Sequence, residues 1–259
     1  MTMRPTATAS RRPSARPTTN VLAIVPARRG SKGVPGKNKA IIAGRPLIDY
    51  TVSVLERSPS VTGIVLTTDD EEILSLYQCR HDVMVVRRPA ELATDTTPSG
   101  EVVRHALTEW TTRGGNDPGL LLLAQPTSPL RSVEDIECAV GLIRESGDDS
   151  LLSACEAEGM RHPMEMYRRE STGHGTAFLP NGDGFHPRQT YETLYQRNGA
   201  IYIVRTEYFR RTGRLRSERP VIFEMPWVRS VNIDTPGDLV VARALIEAGC
   251  VDAPSPQPK

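Results

Sequence analysis

The stretch Val21-Leu-Ala-Ile-Val-Pro-Ala-Arg-Arg-Gly-Ser-Lys-Gly-Val-Pro-Gly-Lys-Asn38 decides the fold. Val21 to Val25 is apolar without alternation, rich in β-branched side chains and closed by Pro26. Such a run reads as a strand buried on both faces, as in a parallel sheet. The loop from Ala27 to Asn38 holds four cations, Arg28, Arg29, Lys32 and Lys37, and the glycines Gly30, Gly33 and Gly36. Open α/β sheets bind ligands beyond the carboxyl ends of their strands. A glycine-rich cationic turn at that place offers amide donors and positive charge to a triphosphate. The loop matches neither the Walker pattern nor the dinucleotide fingerprint. On chemistry alone, Arg28 and Lys37 neutralise the α- and β-phosphates, Lys32 holds the outer phosphates, and Arg29 is solvated.

Working outward, the pattern alternates. Leu47 to Leu55 reads as a helix, Gly63 to Thr68 as a strand, and Asp69-Asp70 open a second helix with acidic residues in its first turn. Val83 to Val86 is a short strand, Glu101 to Trp110 a helix, and Gly119 to Ala124 a continuous apolar strand. Ser132 with Asp135 makes a capping box for a helix to about Glu145, and Ser150 to Ala154 is a fifth strand. After an irregular region, strand Gly199 to Val204 and a helix from Pro236 to Ala248, stopped by Gly249, complete the series. The expected fold is α/β with a mostly parallel, doubly wound sheet.

Residues 20–155 and 198–250 form the expected α/β domain. Residues 156–197 are polar, Gly-rich and weakly periodic, and read as an insertion or dimerisation subdomain. His162, His174 and His186 lie there without metal-ligand spacing. Residues 1–19 are rich in Arg, Thr, Ser and Pro, contain no acid and read as a disordered tail. They resemble a transit peptide in composition and lack the apolar stretch of a secretory signal. Residues 251–259 read as a second tail.

A length of 259 residues fits one large domain, or one domain with a modest subdomain. The net charge of +1 gives no global electrostatic case for binding nucleic acid or a membrane surface, so any anion site is local. No apolar run approaches the roughly 20 residues that a membrane helix needs. Cys79, Cys138, Cys155 and Cys250 are scattered, which argues against zinc or a disulfide framework and suits a reducing cytoplasm.

Six motifs in order resemble the acylneuraminate cytidylyltransferases. They are the Ala27–Asn38 loop, Thr67-Thr-Asp69, Arg88-Pro-Ala-Glu-Leu-Ala93 followed by Asp95, Gln125-Pro-Thr-Ser-Pro-Leu-Arg131, Asn198-Gly-Ala-Ile-Tyr202 and Asn232-Ile-Asp-Thr235. The resemblance spans residues 21–249. It implies a nucleotide-sugar transferase fold of the GT-A-like kind. It also implies a reaction of CTP with a 2-keto-3-deoxy sugar acid that needs Mg²⁺ (or Mn²⁺), and a homodimer. Nucleotide-binding positions implied by it are Arg28, Ser31, Lys32, Gly33, Lys37 and Asn38, with Arg88 and Ser99 reading the base. Gln125, Arg188, Asn198 and Tyr202 fall at the sugar. Asp234 is the metal carboxylate, and with Arg28 and Lys37 it makes up the catalytic set.

Two positions depart from the pattern. Asn232 stands where the family has Asp, so metal binding falls to Asp234 with the Asn232 carbonyl as a neutral partner. Glu165 stands where the family has Lys after a His-Pro pair, and Arg161, Arg168 or Arg169 would have to supply the missing charge. These departures keep two other readings open. One is a nucleotidyltransferase with a Kdo-like acid, sugar phosphate or phosphonate as acceptor. The other is a nucleotide-binding protein without catalysis.

Overall fold

The computed structural model describes residues 20–30, 33–179 and 190–250. Both expected tails, together with Ser31, Lys32, His186 and Arg188, lie outside the described residues. A seven-stranded sheet forms the centre, in the order β11-β7-β10-β6-β1-β4-β5. Strand β1 (Val21–Pro26) pairs in parallel with β4 (Val61–Thr68) and β6 (Leu120–Leu123), and β5 (Met84–Arg87) extends the parallel run beside β4. Strand β10 (Tyr195–Arg205) runs antiparallel to both β6 and β7 (Ser150–Glu156), and β11 (Val221–Glu224) lies parallel to β7 at the edge.

The unbroken apolar strands have a physical reason. Val21, Ala23 and Val25 face a core that contains Ile48, Val52 and Leu55 of α1 (Leu47–Glu56) and Ile136, Val140 and Ile143 of α4 (Val133–Ser146). Leu22 and Ile24 face the opposite core, with Val103, Ala106 and Leu107 of α3 (Ser99–Thr112) and Phe209 of α5 (Thr206–Thr212). Helices cover both faces, so neither side of the strand tolerates polar residues. Helix α2 (Glu71–Tyr77) is capped by Asp70, whose side chain accepts from the Glu72 amide at 3.0 Å. The capping box expected at Ser132 is present: Asp135 N donates to Ser132 Oγ at 3.1 Å, and Ser132 N to Asp135 Oδ2 at 2.9 Å.

Several features differ from expectation. Strand β10 starts at Tyr195, inside the expected insertion, because Tyr195 to Arg197 pair with Glu156 to Ala154 before the register breaks at the Asn-Gly bulge. The insertion carries a small hairpin of β8 (Tyr167–Arg169) and β9 (Gly175–Ala177). Helix α5 and strand β11 were not expected; both are short, and β11 alternates half-buried and exposed residues at a sheet edge. A further hairpin, β2 (Ile41–Ile42) with β3 (Arg45–Pro46), follows the cationic loop. Helix α6 (Pro236–Glu247) closes a third cluster, with Ala242 and Ile246 against Ile42, Leu47, Leu130 and Ile233. Among the described residues no helix is long and apolar enough to cross a membrane.

Candidate active site

Four parallel strands end on one side of the sheet and deliver Arg28, Asp69, Arg88 and Gln125 there. Antiparallel β10 brings its Arg197–Gly199 bulge to the same side. The result is a cleft in two joined halves. Arg28, Lys37, Asn38, Arg88 and Asp95 line the first. Asn198, Tyr202 and Asn232 line the second, and Ser99, Leu123 and Gln125 line both.

The loop after β1 is held from several directions. Asn38 Nδ2 donates to the Arg28 carbonyl at 3.0 Å and closes the loop on itself. The Arg29 amide donates to Asp69 Oδ1 at 2.7 Å, while its side chain is exposed. Arg28 pairs with Asp95 at 2.5 Å. Lys37 Nζ donates to the Ile233 carbonyl at 2.6 Å and to Asp234 Oδ1 at 3.2 Å. A Cβ on Gly33 would lie 2.0 Å from the Asp234 carbonyl oxygen, so the loop approaches the segment before α6 too closely for any side chain there.

Arg88 is buried. Nη2 donates to the Thr67 carbonyl at 2.8 Å and Nε to Thr67 Oγ1 at 3.3 Å, leaving Nη1 without a hydrogen-bond partner among the described residues. Burial pulls its pKa down to about 10; Asp69 opposes this shift and Arg28 adds to it. A guanidinium held rigidly beside Ser99, the first residue of α3, suits a base carbonyl.

In the second half, Gly199 has φ +76° and its absent Cβ would meet Gln125 Oε1 at 3.1 Å and Asn232 Oδ1 at 3.5 Å. The backbone of β10 thus packs Gln125 and Asn232 together. Gln125 is positioned from below by Arg131, which donates to its carbonyl and, through Nη1, to Thr51 Oγ1 at 3.1 Å. Arg131 is fully buried, and desolvation pulls its pKa down to about 9 against the attraction of Asp135. Arg131 closes the Gln125–Arg131 motif, and its place beneath Gln125 emerges only from the fold. Tyr202 is half-buried, and burial raises its pKa while Arg197 and Arg216 pull it down.

Asn198 is at the cleft, but its side chain faces inward. Oδ1 accepts from Ser153 Oγ at 2.6 Å and from the Ala200 amide at 3.1 Å, and Nδ2 donates to Ser230 Oγ at 2.9 Å. These bonds brace the β10 bulge where it lines the second half of the cleft. Glu165 is exposed in the insertion and accepts from Tyr191 OH at 2.9 Å. The cations expected to replace the missing lysine also lie there rather than in the cleft. Arg161 stacks over Trp227 at 5.6 Å and Arg168 over Phe178 at 5.2 Å, and Arg169 is an exposed residue of β8.

Asn232 Nδ2 donates to Asp234 Oδ2 at 2.6 Å, and Asn232 Oδ1 accepts from Ser128 Oγ at 3.3 Å. Asp234 is exposed and its amide is fixed by Asp238 Oδ2 at 3.0 Å, part of the Thr235–Asp238 capping box of α6. No cluster of three or more His, Cys, Asp or Glu able to hold a metal occurs among the described residues. One exposed carboxylate beside a cationic loop still fits a magnesium ion, which takes one or two carboxylates and completes its shell with substrate oxygens and water.

Fold and cleft define an open α/β architecture with a ligand-sized cleft beyond the carboxyl ends of its parallel strands. The chain belongs to the cytidylyltransferase family, whose model matches residues 22–225. It is 29% identical to the N-acylneuraminate cytidylyltransferase of Streptococcus agalactiae serotype III over 85% of this chain and 51% of that protein. It is 30% identical to the CMP-N,N'-diacetyllegionaminic acid synthase of Legionella pneumophila over 88% of this chain and 96% of that one. The 3-deoxy-manno-octulosonate cytidylyltransferase of Anaeromyxobacter dehalogenans is 27% identical over 89% and 99% respectively. The chain thus spans about half the length of the N-acylneuraminate relatives it matches and nearly all of the other two. A solved CMP:2-keto-3-deoxy-manno-octonic acid synthetase complexed with CTP shares the fold, with a TM-score of 0.66, 16% identity, and coverage of 89% of this chain and 100% of that one.

Proposed function

We propose that this chain transfers CMP from CTP to the anomeric hydroxyl of a nonulosonic, sialic-acid-like 2-keto-3-deoxy sugar acid. The observation that supports it most is the junction of the two half-clefts at Gln125 and Ser99, beside a loop tied to Asp234 through Lys37. In this reading Arg28, Lys37 and Asn38 receive the phosphates, Arg88 and Ser99 hold cytosine, and Gln125 and Tyr202 orient the acceptor. Ser31, Lys32 and Arg188 are proposed to assist them. The hydroxyl oxygen forms a bond to the α-phosphorus, the bond from that phosphorus to the bridging oxygen breaks, and pyrophosphate leaves. The hydroxyl proton passes to water oriented by Asp234. Lys37 and Arg28 neutralise charge that grows on the phosphate oxygens. Asp234, with Asn232, would hold Mg²⁺ (or Mn²⁺), which supplies Lewis-acid charge to the phosphates when bound.

A second reading keeps the nucleotide and changes the acceptor to a Kdo-like acid, a sugar phosphate or a phosphonate. The neutral Asn232, which lines the second half of the cleft, favours it. Incubation with each of the four nucleoside triphosphates and a panel of these acceptors separates the readings by pyrophosphate release. Release only with CTP and a nonulosonic acid supports the first, release with a Kdo-like acid, a sugar phosphate or a phosphonate supports the second, and CTP binding without turnover on any acceptor contradicts both.

We also propose a homodimer. Met160, Met166, Tyr167 and Phe178 of the insertion and Trp227 nearby expose apolar surface that a second copy would cover. Sedimentation equilibrium tests it. The cytoplasm is the proposed compartment, supported by four cysteines that form no disulfide.

A further inference from the structure

The acceptor half of the cleft carries more positive charge than the residues assigned above explain. Arg197, Arg214 and Arg216 all line it, together with a single carboxylate, Glu218, around a cavity of about 660 Å³. Some arginines of this chain are held by acids: Arg28 by Asp95, Arg80 by Glu56, Arg113 by Glu109, and Arg229 by Asp135. None of the three cleft arginines is ion-paired to a carboxylate among the described residues. Arg197 lies 6.0 Å from the centre of the Tyr202 ring, and Arg216 is close enough to influence the same phenol.

The support beneath them is built rather than loose. Gly213 ends α5 in a left-handed turn, with its amide on the Phe209 carbonyl at 2.7 Å, and Arg214 N donates to Thr212 Oγ1 at 3.1 Å. Three residues on, Ser217 N donates to Ser150 Oγ at 2.8 Å and fastens the segment to β7. Arg214 and Arg216 thus stand on a short span fixed at both ends. Arg197 projects from the β10 bulge, which Asn198 locks from the inside. Exposed guanidiniums lining one concave surface are suited to an oxyanion, which they bind by charge-assisted hydrogen bonds.

We propose that Arg197, Arg214 and Arg216 form the oxyanion-recognition subsite for the acceptor, and that Arg214 and Arg216 set acceptor specificity. The inference rests on reading this half of the cleft as the acceptor side. It supplies the positive charge that Arg161, Arg168 and Arg169 do not bring to the cleft. A carboxylate and a phosphate or phosphonate share the required chemistry.

The test uses the full chain and its Arg214→Ala/Arg216→Ala double variant, with Arg214→Lys/Arg216→Lys as the charge-preserving control. CMP-saturated protein is titrated calorimetrically with N-acetylneuraminate, with 3-deoxy-manno-octulosonate and with inorganic phosphate. Wild type is expected to bind at least one of the three. The alanine variant should bind it roughly tenfold more weakly or worse, with CMP affinity within about twofold and the lysine variant between them. Tighter binding of the sugar acids marks a carboxylate subsite, and tighter phosphate binding marks a phosphorylated or phosphonate acceptor. Equal affinity in wild type and the alanine variant, or no binding of any of the three by wild type, overturns the proposal. Absence of pyrophosphate release with every sugar acid would defeat the proposed reaction but leave this titration decisive.

Discussion

Lys37 and Asp234 are 197 residues apart in sequence and joined at 3.2 Å, with the same ammonium also on the Ile233 carbonyl at 2.6 Å. The loop after the first strand is therefore clamped to the segment before the last helix. That pairing balances a cation and an anion to which the proposed reaction gives separate roles. Lys37→Ala removes a charge aimed at the phosphates and is expected to lower kcat by roughly 100- to 1,000-fold. Pyrophosphate release under saturating CTP measures it. A loss below about threefold would remove Lys37 from the reacting set.

Gly33→Ala tests the clamp by shape rather than charge. The added methyl would sit 2.0 Å from a backbone oxygen, which no side-chain rotation relieves. The loop has to move off Ile233 and Asp234. CTP affinity is expected to fall by roughly tenfold, with a stability loss of about 1–3 kcal/mol. Titration with CTP and a urea melt read the two effects, and unchanged CTP affinity would show that the clamp does not shape the phosphate site.

Asn232→Asp places a second carboxylate beside Asp234. The present 2.6 Å bond from Asn232 Nδ2 becomes a contact between two acids. Without metal the variant should melt earlier, because like charges at that spacing resist joint ionisation. With Mg²⁺ the half-saturating metal concentration for activity should fall by roughly tenfold. A metal titration that superimposes on wild type would show that position 232 does not face the ion.

Asn198→Ala separates structure from binding. The substitution removes one buried hydrogen bond each from Ser153, Ser230 and the Ala200 amide. Expected destabilisation is about 2–3 kcal/mol by urea denaturation. A variant of wild-type stability with a raised acceptor KM would instead make Asn198 a substrate contact.

Acid should loosen the site through α6. Burial raises the Asp238 pKa, but the amides of Asp234 and Thr235 and the Thr235 hydroxyl outweigh it, so the carboxyl is held below its ordinary value. A depressed carboxyl contributes stability above its unfolded pKa, and that contribution is lost as pH falls through the folded one. Asp238→Ala should therefore cost about 1 kcal/mol at neutral pH and show a smaller difference from wild type in acid. Parallel stability curves for the two proteins from neutral to acidic pH would contradict this.

Much of this architecture was legible in the sequence. Val21 to Val25 and Leu120 to Leu123 carry no polar residue because both faces are covered, and that pattern points directly to a parallel sheet. The cationic loop was legible because glycine and lysine leave few other uses for a turn after such a strand. Helix α5 and strand β11 were hidden by their shortness, and the start of β10 by polar residues that pair on an exposed stretch. Arg131 was visible only as part of a motif, since sequence does not reveal that a charged side chain lies fully buried. Arg214 and Arg216 gave no signal at all, because loops lack the periodicity that assigns a face. Their convergence with Arg197 arises from tertiary structure alone.

The central claim is tested most directly by following the α-phosphorus by ³¹P NMR in a mixture of the protein, CTP, Mg²⁺ and N-acetylneuraminate, legionaminate or 3-deoxy-manno-octulosonate in turn. The account predicts loss of the CTP signals and stoichiometric growth of one phosphodiester signal, the CMP ester, and of pyrophosphate, with at least one acid. CTP signals that persist with every acid while CTP binding is intact would contradict it.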